Sequence, residues 1–448
     1  MNATNSPSDH DMPRRHFLKT SAAALAAGSL AGGLSLSRSA HAAGSETIRI
    51  GFIGCGNRGT GACKDVLSLK APVKLVAVGD LFSDRLQLSL KNLRKYPEIN
   101  AKIDAPPERC FTGFDAYQKV IDSDVDLVLL ATPPHFRPIH YAAAVQAGKH
   151  VFMEKPLCVD APGYRDLVAA NEVALRKKLS VVVGLQRRHQ QNYLEGIKKL
   201  HQGEIGTIHL ARVYFNVPFG GRSGHVKPAG MSEMEYQIRQ WGVFCWLCGD
   251  HLVEQATHEI DVANWAMNAH PVRANGMGGR QVRRGPGNGD IWDHHFIEFE
   301  YADGARLYCQ ARQQPGTWSH VSDNFHGTKG VMTIGTGPWG FGQAGPRELR
   351  SKKMQQINPY SQEHQDLIAS IRGEGPYRME GDYGATSTMT SVMGRMATYS
   401  GLQVTWDEAV SSTQRLAPAH YAFDADPPVL PDPDGGYPTA MPGVNKLT

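Results

Sequence analysis

Cysteine is scarce in this 448-residue sequence: seven are present, an odd number scattered along the chain. That excludes a disulfide framework and leaves at least one thiol unpaired within a monomer. Charge of one sign is missing too, since 47 Lys and Arg face 43 Asp and Glu. The basic residues form no blocks, so the electrostatic footprint of a nucleic-acid binder is absent. Beyond the N-terminal segment no run is apolar enough for a membrane helix. Internal repeats are absent as well. What remains is the composition of a soluble globular protein, 41% hydrophobic with 47 Gly and 27 Pro. Its length fits two domains plus extensions. Cys245 and Cys248 form one CxxC with apolar flanks. It reads as buried helix thiols, with a redox or zinc pair as the alternative.

The N-terminus reads as a targeting segment. Arg14-Arg15-His16-Phe17-Leu18-Lys19 has the twin-arginine pattern, followed by an Ala/Gly/Leu-rich stretch and the A-x-A site Ala40-His41-Ala42. Residues 1–42 are therefore expected to be a signal peptide cleaved near Ala42. The folded protein would pass through the twin-arginine export machinery to the periplasm or another exported location.

From Ile48 onward, short apolar runs at 48–54, 73–80, 125–132, 150–154 and 180–186 alternate with helical patterns at 83–96, 139–147 and 164–178. Strands without polar alternation are those of a parallel sheet buried on both faces. After His189 longer alternating runs appear, and Ala302-Asp303-Gly304 and Gly327-Thr328-Lys329-Gly330 read as tight turns. The expected fold class is α/β: an N-terminal Rossmann domain with a doubly wound parallel sheet (47–188), then a substrate and oligomerisation α/β domain (189–411) with a large, mostly antiparallel open sheet. A Pro/Asp/Gly-rich extension (412–448) wraps the surface or stays mobile.

Gly54-Cys55-Gly56-Asn57-Arg58-Gly59 is a GxGxxG that follows the first apolar strand and opens a helix. Gly54 allows the tight turn, Gly56 admits the pyrophosphate, and Gly59 lets helix pack on strand. The phosphates then meet the positive end of the helix. Asp80 ends the second strand, 21 residues beyond Gly59, where a carboxylate can bind ribose hydroxyls. It would repel a 2′-phosphate, so NAD is expected rather than NADP.

Two more signatures sit at strand ends: Thr132-Pro133-Pro134-His135 and Glu154-Lys155-Pro156. With the glycine motif, AGKHVFMEKP and THEIDVANW, they make the chain resemble the Gfo/Idh/MocA family from about Ile48 to Val410. The resemblance implies that Asn57, Arg58, Thr132, Pro133, His135, Glu154 and Lys155 join the glycines and Asp80 around the cofactor. It gives Lys155 and His258 catalytic roles. Lys155 would share the site with an oxidised nicotinamide, and repulsion favours the neutral amine that can take a hydroxyl proton. His258 would contact substrate and relay a proton.

Arg187, Glu254 and Asp261 complete the expected substrate contacts. Arg187 is equally open to a structural ion pair, and Glu254 stands where the family has an aspartate. Arg137 replaces a histidine common in the family, either to bind an anion or to face solvent. His251, Glu254 and His258 lie at metal-ligand spacing, but the resemblance explains them with no metal. Of His294 and His295, adjacent on a strand, at most one can reach the cleft. Trp241 and Trp246 read as core residues, and the sugar loop at 219–241 carries no legible code.

The resemblance implies an NAD-dependent oxidoreductase acting on a secondary hydroxyl of a sugar, cyclitol or sugar derivative. Outside the cytoplasm the cofactor would have to be tightly bound and recycled. The alternative is an NAD-dependent glycosidase that oxidises, eliminates, hydrates and reduces with no net redox change. A catalytically silent binding protein is a third reading, disfavoured by the retained Lys155 and His258. A homo-oligomer formed through the open sheet is expected by the same resemblance.

Overall fold

The computed structural model describes residues 47–218, 225–335 and 357–446. The export segment expected at 1–42 lies outside them, as do 219–224 of the sugar loop and 447–448 of the extension.

Six strands build the first sheet: β1 (Ile48–Ile53), β2 (Val73–Asp80), β3 (Cys110–Thr112), β4 (Leu127–Leu130), β5 (His150–Met153) and β6 (Val181–Val183). They lie parallel in the order β3-β2-β1-β4-β5-β6. The order reverses between β1 and β4, and the crevice beyond their carboxyl ends is where such sheets bind ligands. Both faces are covered, which explains the unbroken apolar strands. Val128, Val151 and Val181 pack with Tyr141 and Leu167 of helices Arg137–Gln146 and Ala161–Arg176. Ile50, Phe52 and Leu129 pack on the other side with Leu90 of helix Ser83–Leu93. Leu367, Ile368 and Ile371 of helix Pro359–Arg372 join that second cluster, so the chain returns late to the first sheet.

The second sheet adds β7 (Ile208–Asn216), β8 (Arg273–Gly279), β9 (His294–Glu300), β10 (Arg306–Arg312), β11 (His320–Gly327), β12 (Gly330–Ile334) and β13 (Val404–Thr405). Their order is β12-β11-β7-β10-β9-β8-β13, antiparallel except where β10 runs parallel to β7. Along β10, Leu307, Cys309 and Ala311 are buried in a cluster with Ile260 and Met393 of helices Thr257–Met267 and Gly381–Ser400. Arg306, Tyr308, Gln310 and Arg312 point the other way. That outward face is mixed, with Met277 and Phe296 exposed beside it.

Helix Gly381–Ser400 has no sequence stripe because it is buried almost all round. Its hydroxyls bond back to their own ladder, as Thr388 Oγ1 does to Gly384 O at 2.8 Å and Ser391 Oγ to Ser387 O at 3.1 Å. At Gly394 a Cβ would stand 2.7 Å from the Phe299 ring, so glycine allows the close helix–sheet approach. No helix among the described residues is long and apolar enough to cross a membrane.

Candidate active site

At the first turn, Gly54 has φ +97°, and a Cβ there would meet Thr132 N at 2.5 Å. At Gly59 a Cβ would lie 2.0 Å from Gly54 O, whereas at Gly56 it would meet nothing within 4 Å. Two glycines thus close the strand–helix packing, and the third faces open space. Asn57 is exposed at the start of helix Asn57–Leu67. At the tip of β2 the Asp80 carboxylate accepts from Cys55 N at 2.6 Å and from Phe82 N at 2.8 Å. Burial raises its pKa, against the two amide bonds. An open helix start with a carboxylate oriented beside it fits a dinucleotide.

A cavity of about 260 Å³ opens at the ends of β4, β5 and β6. Arg58, Thr132, Glu154, Lys155, Arg187, Glu254 and His258, far apart in the chain, all line it. Gly54, Gly56, Gly59, Asn57 and Asp80 lie outside it at the dinucleotide turn, and Pro133, His135 and Asp261 do not line it either. Pro133 lies in the adjoining loop, and His135 is buried with Nε2 2.8 Å from Tyr421 OH. Burial holds the His135 imidazole down at about 4. Asp261 is taken by the fork of Arg188, two bonds of 2.8 Å, and by Ser387 Oγ at 2.8 Å. In its helix the carboxylate therefore points to a protein partner rather than into the cavity.

Lys155 ends β5 on a cis Lys155–Pro156 bond. Its Nζ donates to Glu254 O and lies 3.7 Å from Glu254 Oε1, with both side chains nearly buried. Glu254 sits in a π turn, Leu252–Ala256, just before helix Thr257–Met267. Such wider turns displace backbone from the α ladder, often at functional sites. His258 is half-buried in the first turn of that helix and lines the cavity. Burial first, then the charges of Lys155, Arg187 and Arg58, press its pKa well below the usual range, so it is a neutral imidazole at neutral pH.

Arg58 reaches from the glycine motif to Glu154, lies 3.6 Å from the buried Glu363, and stacks 4.6 Å over the Tyr360 ring. Arg187 forms the structural ion pair left open for it, with Glu259 and, at 3.3 Å, with Asp323, all three buried, and its side chain also lines the cavity. Arg137 does not face solvent, and its side chain lines the cavity. It is buried, and donates to Thr132 O and Pro156 O. It therefore ties the loop after β4 to the loop after β5.

Several other placements depend on tertiary contacts. Trp241, expected in the core, lines the cavity, while Trp246 is buried and donates to Gln237 Oε1 at 2.8 Å. Tyr360 carries no local signal in the sequence because it arrives from a helix beyond β12, far along the chain from the other lining residues. The trio His251, Glu254 and His258 is split. Among the described residues, Asp250, His251 and His295 come within ligand spacing instead. Protein donors already satisfy that carboxylate: Trp292 N at 2.9 Å, Tyr399 OH at 2.5 Å, and His295 at 3.2 Å. His294 turns to Asp293 at 2.7 Å, so neither strand histidine lines the cavity. Cys245 and Cys248 are free, buried thiols, the former pushed up to about 12 by burial.

Residues 48–185 match the family model described as oxidoreductase family, NAD-binding Rossmann fold, and residues 194–333 match the GFO/IDH/MocA C-terminal domain. The chain belongs to the Gfo/Idh/MocA family of oxidoreductases, and its first domain is that family's NAD-binding Rossmann fold. Among its relatives is the scyllo-inositol 2-dehydrogenase (NAD(+)) of Bacillus subtilis, 23% identical over 64% of this chain and 74% of that protein. The scyllo-inositol dehydrogenase of Lactobacillus casei, solved with NAD(H) and scyllo-inositol, aligns over 81% of this chain and 100% of its own (TM-score 0.61, 19% identity). The aldose-aldose oxidoreductase of Caulobacter crescentus, solved with glycerol, aligns over 80% and 100% (TM-score 0.62, 17% identity).

Proposed function

We propose that this protein oxidises a secondary hydroxyl of a sugar, cyclitol or sugar derivative, with hydride passing to NAD. The observation that carries this reading is Lys155 held against Glu254 in the cavity that His258 also lines. Bound NAD supplies the hydride acceptor. Gly54, Gly56, Asn57 and Gly59 would hold its pyrophosphate, and Asp80 the adenosine ribose, in preference to a 2′-phosphate. Arg58, Thr132 and Glu154, which line the cavity, would border the nicotinamide end.

In its neutral form Lys155 Nζ takes the hydroxyl proton as hydride leaves the same carbon. Glu254 fixes Nζ through its carbonyl and carboxylate, and His258 receives the proton or orients a neighbouring hydroxyl. Arg187 and Trp241 bound the sugar side. The names of the relatives, inositol dehydrogenases and an aldose-aldose oxidoreductase, support a polyhydroxylated substrate.

Export of the folded chain by its twin-arginine segment belongs to the same proposal. A cofactor carried out of the cytoplasm must stay bound and be regenerated by a second substrate. Assembly through the outward face of the second sheet is proposed as well.

A single-turnover assay tests the chemistry. Protein loaded with NAD is mixed with free sugars, cyclitols and glycosides, and NADH absorbance is followed together with product masses. A product lighter by two hydrogens, with stoichiometric NADH, is expected. Glycoside cleavage with no net NADH and solvent deuterium at C2 would replace this reading with a redox-neutral glycosidase. Lys155→Met is expected to lower the rate of NADH formation by at least a hundredfold.

A further inference from the structure

After helix Trp406–Ser411 the chain does not remain on the second sheet. It crosses to the first, where Leu416 N donates to Asp160 Oδ2 at 2.8 Å. It then lays Tyr421 and Phe423 over the carboxyl ends of three parallel strands. Phe423 stacks on Phe82, just past β2, with centroids 5.9 Å apart and planes at 26°. It also packs on Phe114, just past β3, at 5.2 Å. Tyr421 OH bonds His135 Nε2 at 2.8 Å, and its ring lies 5.7 Å from Phe136, both beyond β4. Phe82 N is one of the two amides bound to Asp80. The stacked pair therefore adjoins the carboxylate that faces the ribose.

The rest of the segment is anchored on both sides of this contact. Gln237 Nε2 donates to Val429 O at 2.7 Å, Tyr437 OH to Glu233 Oε2 at 2.8 Å, and Trp292 Nε1 to Ala440 O at 3.2 Å. Helix Glu233–Arg239 closes the remaining side. There Arg239 lies 3.8 Å over the Phe82 ring and reaches Asp84 at 3.2 Å. In an open parallel sheet the adenosine half of a dinucleotide occupies the crevice beyond these strand ends. An aromatic layer of this chain sits on the rim of that crevice.

We propose that the strap of residues 415–437 is part of the NAD site, walling the adenosine end so that the cofactor leaves slowly. This deepens the reading of a retained, recycled cofactor and rests on it. For adenosine to leave, Phe423 must part from Phe82 and Phe114, and Tyr421 from His135. Each separation adds to the barrier of dissociation. Differences of this kind fall on the off-rate rather than the on-rate.

The test uses the full chain loaded with radiolabelled NAD and chased with excess unlabelled NAD, with retained label counted after rapid desalting. The double variant Tyr421→Ala/Phe423→Ala is expected to release label at least tenfold faster than the wild type. Phe423→Leu keeps an apolar side chain against Phe82 and should fold; at least threefold faster release is expected of it. Backbone amides 419–426 of the wild type should exchange hydrogen more slowly once NAD is added. Release rates within twofold of wild type in both variants, or amide exchange indifferent to NAD, would overturn the proposal. So would tighter NAD binding by the double variant, which would make the strap an obstruction. A wild-type chain that takes up no NAD would bring down the cofactor reading itself, a result distinct from equal release by loaded proteins.

Discussion

Replacing Arg137 with Met separates a positioning role from a structural one. Arg137 donates to two carbonyls, Thr132 O and Pro156 O, in a fully buried setting. Stranding both acceptors costs about 1–3 kcal/mol each, about 2–6 kcal/mol in all. Against this, burial has pulled the Arg137 pKa from 12.5 down to about 10, even with Glu154 and Glu254 nearby to favour the charge. At about 1.4 kcal/mol per pKa unit, removing that strained charge returns about 3 kcal/mol. The two contributions nearly cancel, and the net loss of stability is expected to be about 1 kcal/mol. Catalysis should respond differently, because the same bonds hold the peptide that carries Lys155. A displacement of about 1 Å at a reacting group costs on the order of a hundredfold in rate. Arg137→Met is therefore expected to slow single-turnover hydride transfer by at least tenfold, with the urea midpoint changing little at constant slope. Arg137→Lys, with one ammonium for two divergent carbonyls, should fall between. A hydride-transfer rate within twofold of wild type would refute the reasoning, as would a stability loss above about 4 kcal/mol, which would mark the residue as structural.

Arg187→Met should be the opposite case, since it leaves Glu259 and Asp323 buried with their cation gone; a loss of about 3–5 kcal/mol is expected in urea unfolding. Adding Glu259→Gln and Asp323→Asn should restore more than half of it. His189 sets a pH dependence. Burial opposes its charge, but hydrogen bonds to Asp366 and Glu380 win and raise its pKa from 6.5 to about 9. Its stabilisation is full below pH 6.5 and is lost as pH rises through 9, about 3 kcal/mol in all. His189→Gln should flatten the stability profile across that window, measured on the cofactor-free protein. Asp80→Asn should weaken NAD binding about tenfold while improving NADP binding, as titration calorimetry of both nucleotides would show.

Much of the first sheet was legible in the sequence because its strands are short, apolar and punctuated by glycine. β3, three residues long, fell below that signal, as did β8 with its alternating glycines. Helix Gly381–Ser400 was hidden for another reason: buried on nearly all sides, it has no polar face to reveal its period. The outward face of the second sheet, through which the resemblance implied a homo-oligomer, carries Arg306, Tyr308, Gln310 and Arg312.

The site divides along the same line. Local order determined the glycine turn, Asp80 at the strand tip and Lys155 at the next crevice-facing strand end, because each depends on backbone within a few residues. Side-chain destinations were decided by tertiary contacts. Whether Asp261 faced substrate or Arg188, and whether Arg137 met an anion, solvent or two carbonyls, depended on partners far off in the chain. The same holds for Tyr360 and for the strap of Tyr421 and Phe423. Helical spacing put His251, Glu254 and His258 on one face, but a π turn and the pull of Asp250 sent His251 elsewhere. Periodicity specifies a direction relative to the local backbone; what lies in that direction is supplied by the rest of the fold.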